Sequence, residues 1–188
     1  MSGEETSDEI LMAAYQAGNE AAFGELFARY SGSVYGFLVR RVGDRARADD
    51  LYQEAFLRLH RARATYDSRR PFRAWLFGIV HNLATDAFRS RGRAPEMAAD
   101  DGLDRAGAAP SPERVATARE AVADLQEALA GLAPDEATAL ILARVEGLDY
   151  EEIGGVLGRS AGATKQLAYR ALKRVRAAMA ARGHAEES

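Results

Sequence analysis

Residues 149–172 read DYEEIGGVLGRSAGATKQLAYRAL, and two helix starts with a glycine stop between them leave this stretch few ways to fold. Asp149 is an N-cap, and Glu152 stands three residues on to complete a capping box. Leu148 and Ile153 flank that cap at the spacing of a hydrophobic staple. Ile153, Val156 and Leu157 form the packing side of the short helix. Gly158 suits a backbone turn with positive φ, which a side chain disfavours. Ser160 then caps a second helix that runs to about Ala181. A short helix, a tight turn and a second capped helix make a helix-turn-helix, whose second helix enters a DNA major groove. From Ile153 to Ala185 there is no acidic residue, while Arg159, Lys165, Arg170, Lys173, Arg174, Arg176 and Arg182 all fall in that span. Phosphate contacts leave this footprint. The charges taken alone suit a solvated basic face equally well.

Helical periodicity continues through the rest of the chain, and alternating strands are absent. The expected fold is all-α: two small helical domains joined by a flexible linker, the second containing the helix-turn-helix. The first domain is residues 1–93 and the second 113–188. Between them, residues 94–112 are rich in Ala, Gly and Pro, carry several acids and lack aromatics, so they bury too little apolar surface to offset ordering entropy. The first domain divides into four helices. One covers about 8–17, and the next is capped by Asn19 and ended by Gly43. A third runs from about Arg47 to Arg63, and a fourth is opened by Pro71. The second domain also has four: about 113–130, one started by Pro134 and ended by Gly147, and the helix-turn-helix pair.

Two faces of the first domain carry chemistry. In YDSRRPFRAWLFGIVHNLATDAFRSRGR, residues 66–93, Leu76, Val80, Leu83 and Ala87 share one side of a helix. Trp75, Asn82, Asp86 and Arg89 form a stripe beside it, bracketed by arginines at 69, 70, 73, 91 and 93. Rings, an amide and positive charge suit single-stranded or melted DNA. A core Trp75 and an i,i+3 pair between Asp86 and Arg89 account for the same pattern. In RADDLYQEAFLRLHRAR, residues 47–63, Leu51, Ala55 and Leu59 make an apolar line, which turns Asp50, Gln53, Glu54 and Leu57 outward. That mixture suits a partner helix, and also an ordinary solvated face.

In this order and spacing, the segments resemble the extracytoplasmic-function sigma factors of the sigma-70 family, over nearly the whole chain. GNEAAFGELFARY resembles the opening helices of sigma region two. ADDLYQEAFLRLHRA is similar to the segment that binds the clamp helices of the polymerase largest subunit, and PFRAWLFGIVHNLATDAFR to the one that opens and reads the −10 element. LAPDEATALILARVEGLDYEEIGGVLGRSAG resembles region four, which reads the −35 element and touches the flap of the second-largest subunit. The resemblance implies core-polymerase contacts from Asp50, Gln53 and Glu54. It implies −10 contacts from Asp67, Arg69, Arg70, Trp75, Asn82, Asp86, Arg89 and Arg93, and −35 contacts from Arg159, Ser160, Thr164, Lys165, Tyr169 and Arg170. It also implies that the acidic linker threads toward the polymerase active-site and RNA-exit channels. The partners implied are bacterial core RNA polymerase, promoter DNA and a cognate anti-sigma factor. The chain departs from the pattern at Leu167, where many members carry Arg, and at Ala168, where many carry a larger apolar residue.

Other classes fit less well. The acidic start, MSGEETSDEI, is no secretory signal, and no apolar run approaches the roughly 20 residues that span a bilayer. The expectation is a cytoplasmic protein without membrane insertion. With no cysteine, disulfides and thiolate metal sites are excluded, and no cofactor or metal is expected. His60, His81 and His184 lie on unrelated segments and no phosphate loop or nucleophile elbow occurs, so no enzyme is expected. The remaining alternative is a stand-alone helix-turn-helix regulator whose first domain holds a ligand pocket or dimer seam.

Overall fold

The computed structural model describes residues 6–90 and 112–183, with side chains from residue 117 onward in the second segment. Arg93, the tail from 184 and the linker up to residue 111 lie outside the described residues. The described residues form eight α-helices and no strand: α1 (Asp8–Gln16), α2 (Glu20–Val42), α3 (Arg45–Ala62), α4 (Phe72–Ser90), α5 (Pro112–Ala130), α6 (Pro134–Arg144), α7 (Tyr150–Leu157) and α8 (Ala161–Ala181). A short 3-10 turn, Arg63–Thr65, follows α3.

Local side-chain chemistry sets most helix ends. The Asn19 carboxamide accepts from the Ala21 and Ala22 amides to start α2, and Gly43 ends it at φ 72°. The third helix starts at Arg45, earlier than expected, because the Asp44 carboxylate accepts from the Arg47 amide at 3.1 Å. Each such cap is worth about 1 kcal/mol. The fourth helix begins at Phe72 rather than Pro71. Its first amide donates to the Glu9 carboxylate at 3.0 Å, so α1 caps α4 across the fold.

Helices α1–α4 enclose an aromatic-rich core. Met12, Leu26, Val34, Phe37, Leu38, Leu59, Phe72, Leu76, Phe77 and Val80 are each at most 1% exposed. At roughly 1.5–3 kcal/mol per buried side chain, this layer supplies most of the drive to pack the four helices. Helices α5–α8 use smaller residues: Ala137, Ala139, Leu140, Ile141, Leu142, Leu148, Ile153, Leu167, Ala168 and Ala171 are buried. The two groups also pack on each other. Helix α4 lies against α7, and α2 against α5 and α6. His81 Nδ1 and Thr138 Oγ1 meet at 2.9 Å in this buried seam.

Candidate nucleic-acid interface

The loop before α4 is built on one acid. Asp67 accepts from the Arg69 amide at 3.1 Å and from Arg69 Nε and Nη2 at 2.9 and 2.8 Å. These bonds from Arg69 hold the Asp67 carboxyl down to about 2. The Arg70 amide donates to the Asp67 carbonyl at 2.9 Å, and Tyr66 Oη donates to the Arg70 carbonyl at 2.6 Å. A tight, preformed turn therefore presents Arg69 and Arg70 to solvent.

Asn82, Asp86 and Arg89 project from α4 into solvent, as the periodicity predicts. Trp75 is half-buried, its ring 5.0 Å from Tyr66 and 6.0 Å from Phe72. It supports the loop more than it faces outward. Beside Asn82 runs an open groove of about 420 Å³, lined also by Ile79 of α4 and by Arg58, Arg61 and Ala62 of α3. Sequence reasoning missed Arg58 and Arg61, whose i,i+3 spacing on α3 was the available signal. Glu54 pairs with both, at 2.9 and 3.8 Å.

The outer face of α3 carries Asp50 and Gln53, both exposed, and Leu57 at 49% exposure. Behind it stands a ring cluster: Phe27 lies 4.7 Å from Phe56, Tyr52 lies 5.2 Å from Phe56, and Tyr35 lies 5.8 Å from Tyr52. This backing leaves α3 little freedom to deform when a partner meets it.

In the helix-turn-helix, both expected caps form. The Asp149 carboxylate accepts from the Glu151 and Glu152 amides at 2.9 and 2.8 Å, and the Glu152 carboxylate accepts from the Asp149 amide at 2.9 Å. Gly158 takes φ 64°, and Ser160 Oγ accepts from the Ala163 amide at 3.3 Å. Gly154 matters as much, and its role was not visible in sequence. A Cβ there would stand 2.6 Å from the Arg159 carbonyl oxygen, so only glycine lets α7 approach the turn this closely.

Lys165, Gln166, Arg170 and Tyr169, the last at 67% exposure, face outward from α8. Thr164 does not. It is fully buried, and its hydroxyl donates to the Ser160 carbonyl at 2.9 Å, which corrects its assignment as a groove contact. Position 164 belongs to the packed stripe with Leu167, Ala168, Ala171 and Val175. The departure at Leu167 therefore falls on the core side of the helix. The Ser160 hydroxyl is likewise committed to its cap. The basic run also divides. Arg174 pairs with Glu136 at 2.7 Å, Arg182 with Glu127 at 2.8 Å, and Arg159 with Asp135 at 2.6 Å. Lys165, Arg170 and Lys173 are exposed.

Comparison with known proteins agrees with this geometry. Residues 26–94 match the family model of sigma-70 region 2, and residues 123–175 that of sigma-70 region 4. The chain is 37% identical to the RNA polymerase sigma factor CarQ of Myxococcus xanthus over 88% of its own length and 93% of CarQ. It is also 37% identical to the ECF RNA polymerase sigma factor BldN of Streptomyces coelicolor, covering 84% of this chain and 60% of BldN. Among solved structures it is similar to CnrH in complex with the cytosolic domain of CnrY, with 28% identity and a TM-score of 0.70 over 94% of this chain and 99% of CnrH. Among the described residues, no helix is long and apolar enough to cross a membrane. The chain belongs to the extracytoplasmic-function sigma factors of the sigma-70 family, which direct RNA polymerase to specific promoters.

Proposed function

We propose that the two solvent-facing constellations divide promoter reading between them. Residues 1–93 bind core polymerase and open and read the −10 element, residues 113–188 read the −35 element, and residues 94–112 join them through the polymerase channels. The observation that carries this is the exposed row Asn82, Asp86 and Arg89 on α4, with an arginine-lined groove at Asn82 and a preformed Asp67–Arg69 turn ahead of the same helix. Extruding a base costs a few kcal/mol, so an open groove edged by arginines and a preformed loop lower the cost of melting. Arg58 and Arg61 join the −10 set, with Asp67, Arg69, Arg70, Trp75, Asn82, Asp86, Arg89 and Arg93. The −35 set is Arg159, Lys165, Tyr169 and Arg170, with Gln166 added and Ser160 and Thr164 shaping the helix start. Asp50, Gln53 and Glu54, beside exposed Leu57, meet the clamp helices, while the second domain touches the flap.

The chain is a binding subunit that works in the cytoplasm without turnover of its own. CnrH was solved with a protein partner, and this chain takes an anti-sigma factor in the same way. The test is co-elution with bacterial core RNA polymerase on a sizing column, then the same with Gln53→Ala and Glu54→Ala together. Retained helicity with affinity reduced about tenfold or more is the expected result. Co-elution untouched by the change moves the interface elsewhere. A folded chain that never co-elutes favours the stand-alone regulator.

A further inference from the structure

Between the end of α3 and the start of α4, residues 63–71 bury a single side chain, Tyr66, at 5% exposure. Its ring lies 5.0 Å from Trp75 and 5.9 Å from Phe72. Apolar packing therefore fixes this connection at one point. Holding the rest in one shape costs backbone entropy, which polar contacts must offset. The bonds within the loop, from Arg69 and Arg70 to Asp67, give it a turn but do not fix where that turn stands on the helices.

The contacts that fix it come from α1. Gln16, the last residue of that helix, donates from Nε2 to the Arg63 carbonyl at 2.7 Å and to the Tyr66 carbonyl at 3.0 Å. An amide nitrogen carries two protons, one for each carbonyl. At the other end of α1, Glu9 accepts from the Phe72 amide at 3.0 Å. The two residues are seven apart, so they share a face two turns and about 10 Å apart along the axis. One helix thus grips the loop where it leaves α3 and again where it enters α4. The helix itself is pinned. Met12 is fully buried and Leu11 and Tyr15 nearly so. Tyr15 Oη meets His60 Nδ1 near the end of α3, and Asp8 accepts from Arg29 at 2.7 Å and from Tyr30 on α2.

We propose that α1 is a template for the loop at residues 67–70, and that Glu9 and Gln16 are positioning residues: they set where Asp67, Arg69 and Arg70 stand and touch no DNA themselves. The inference rests on the −10 reading given above. It adds that the sharpness of base choice is controlled from a helix that carries none of the reading side chains. Hydrogen bonds weaken steeply as distance and angle stray, so a donor held in place separates one base edge from another. A loop free to drift finds a partner on any base. Side chains at 67–70 then decide which base is preferred, and the α1 clamps decide by how much.

Three substitutions separate the clamps from mere packing. Gln16→Glu keeps the length of the side chain but turns its donor into an acceptor facing two carbonyls. Gln16 is exposed, so the change leaves the core intact. Glu9→Leu removes the acceptor from the first amide of α4, and Glu9→Gln keeps an oxygen there and restores the clamp.

The test uses the full chain assembled with bacterial core RNA polymerase, and short single-stranded DNA with a randomised centre as the probe. The readout is the ratio of affinity for the most enriched sequence to affinity for the unselected pool. Gln16→Glu and Glu9→Leu each lower that ratio roughly fivefold, while the enriched sequence, the affinity for the pool and co-elution with core polymerase stay as they were. Glu9→Gln keeps the ratio of the unaltered chain. Asp67→Asn, a change in the loop itself, alters which sequence is enriched. In the free chain, Gln16→Glu speeds hydrogen exchange at the Tyr66 and Arg70 amides. A ratio unmoved by Gln16→Glu and Glu9→Leu, with Asp67→Asn altering the enriched sequence, overturns the template and leaves the −10 reading standing. Unchanged exchange at both amides also overturns it. So does a fall in pool affinity or co-elution that accounts for the whole loss, since α1 would then serve folding alone. If the unaltered chain enriches no sequence, the −10 reading fails and the template falls with it.

Discussion

The two halves of the molecule solve the same problem with different materials. In α1–α4 and the connection before α4, ring packs on ring from Tyr15 to Phe77, and the described ring contacts all lie there. In residues 112–183 the only aromatic residues are Tyr150 and Tyr169, and Tyr169 points into solvent. The first half is held by volume. Large side chains fill a deep core, and capping adds to it. The second half is held by backbone chemistry: two N-caps, a left-handed Gly158, and Gly154 where the chain passes too close for a Cβ. A wide aromatic core stiffens the surface proposed to hold splayed bases. A small domain that places one helix in a groove needs correct angles more than bulk.

This contrast can be broken by substitution, with urea unfolding followed by circular dichroism as the readout. The largest effect belongs to Phe37→Ala in the first half. Phe37 is fully buried and meets Phe77 edge-on at 5.7 Å, so its loss costs about 3–5 kcal/mol. A loss near that of an ordinary surface change, within about 0.5 kcal/mol, would show that volume is not what holds α1–α4. Next comes Gly154→Ala, a single added methyl, which costs about 1–3 kcal/mol because the Arg159 carbonyl must move. The accompanying loss of DNA binding by the second half, with the first intact, sharpens the point. The smallest is Asp149→Ala, about 1 kcal/mol, through the two amides the carboxylate leaves unmet. If Gly154→Ala and Asp149→Ala shift the same transition as Phe37→Ala with equal cooperativity, the halves unfold as one unit, and the division by material has no energetic meaning.

Much of the site was legible because it is local. The row Asn82, Asp86 and Arg89 follows from helical period once Leu76, Val80 and Leu83 are placed inward, and all three are exposed. The caps at Asn19, Asp149 and Ser160 are contacts within three residues, and each forms. Thr164 was misread for a reason also present in the sequence: it lies on the stripe of Leu167, Ala168, Ala171 and Val175, and that period outweighs its polarity. The ion pairs of Arg174 and Arg159 were not legible in the same way. Their partners, Glu136 and Asp135, lie 38 and 24 residues away, and no local pattern pairs them.

By itself the sequence determined eight helices, the caps at Asn19, Asp149 and Ser160, the turn between α7 and α8, and which side of each helix is apolar. These depend on hydrogen bonds and periodicity within a few residues. Only the tertiary structure decided which basic residues pair with distant carboxylates, why position 154 admits no side chain, and that α7 lies on α4 with Arg41, His81 and Thr85 buried. Those facts depend on which surfaces meet. Burial turns an ordinary arginine or threonine into a costly one only after a distant helix has covered it.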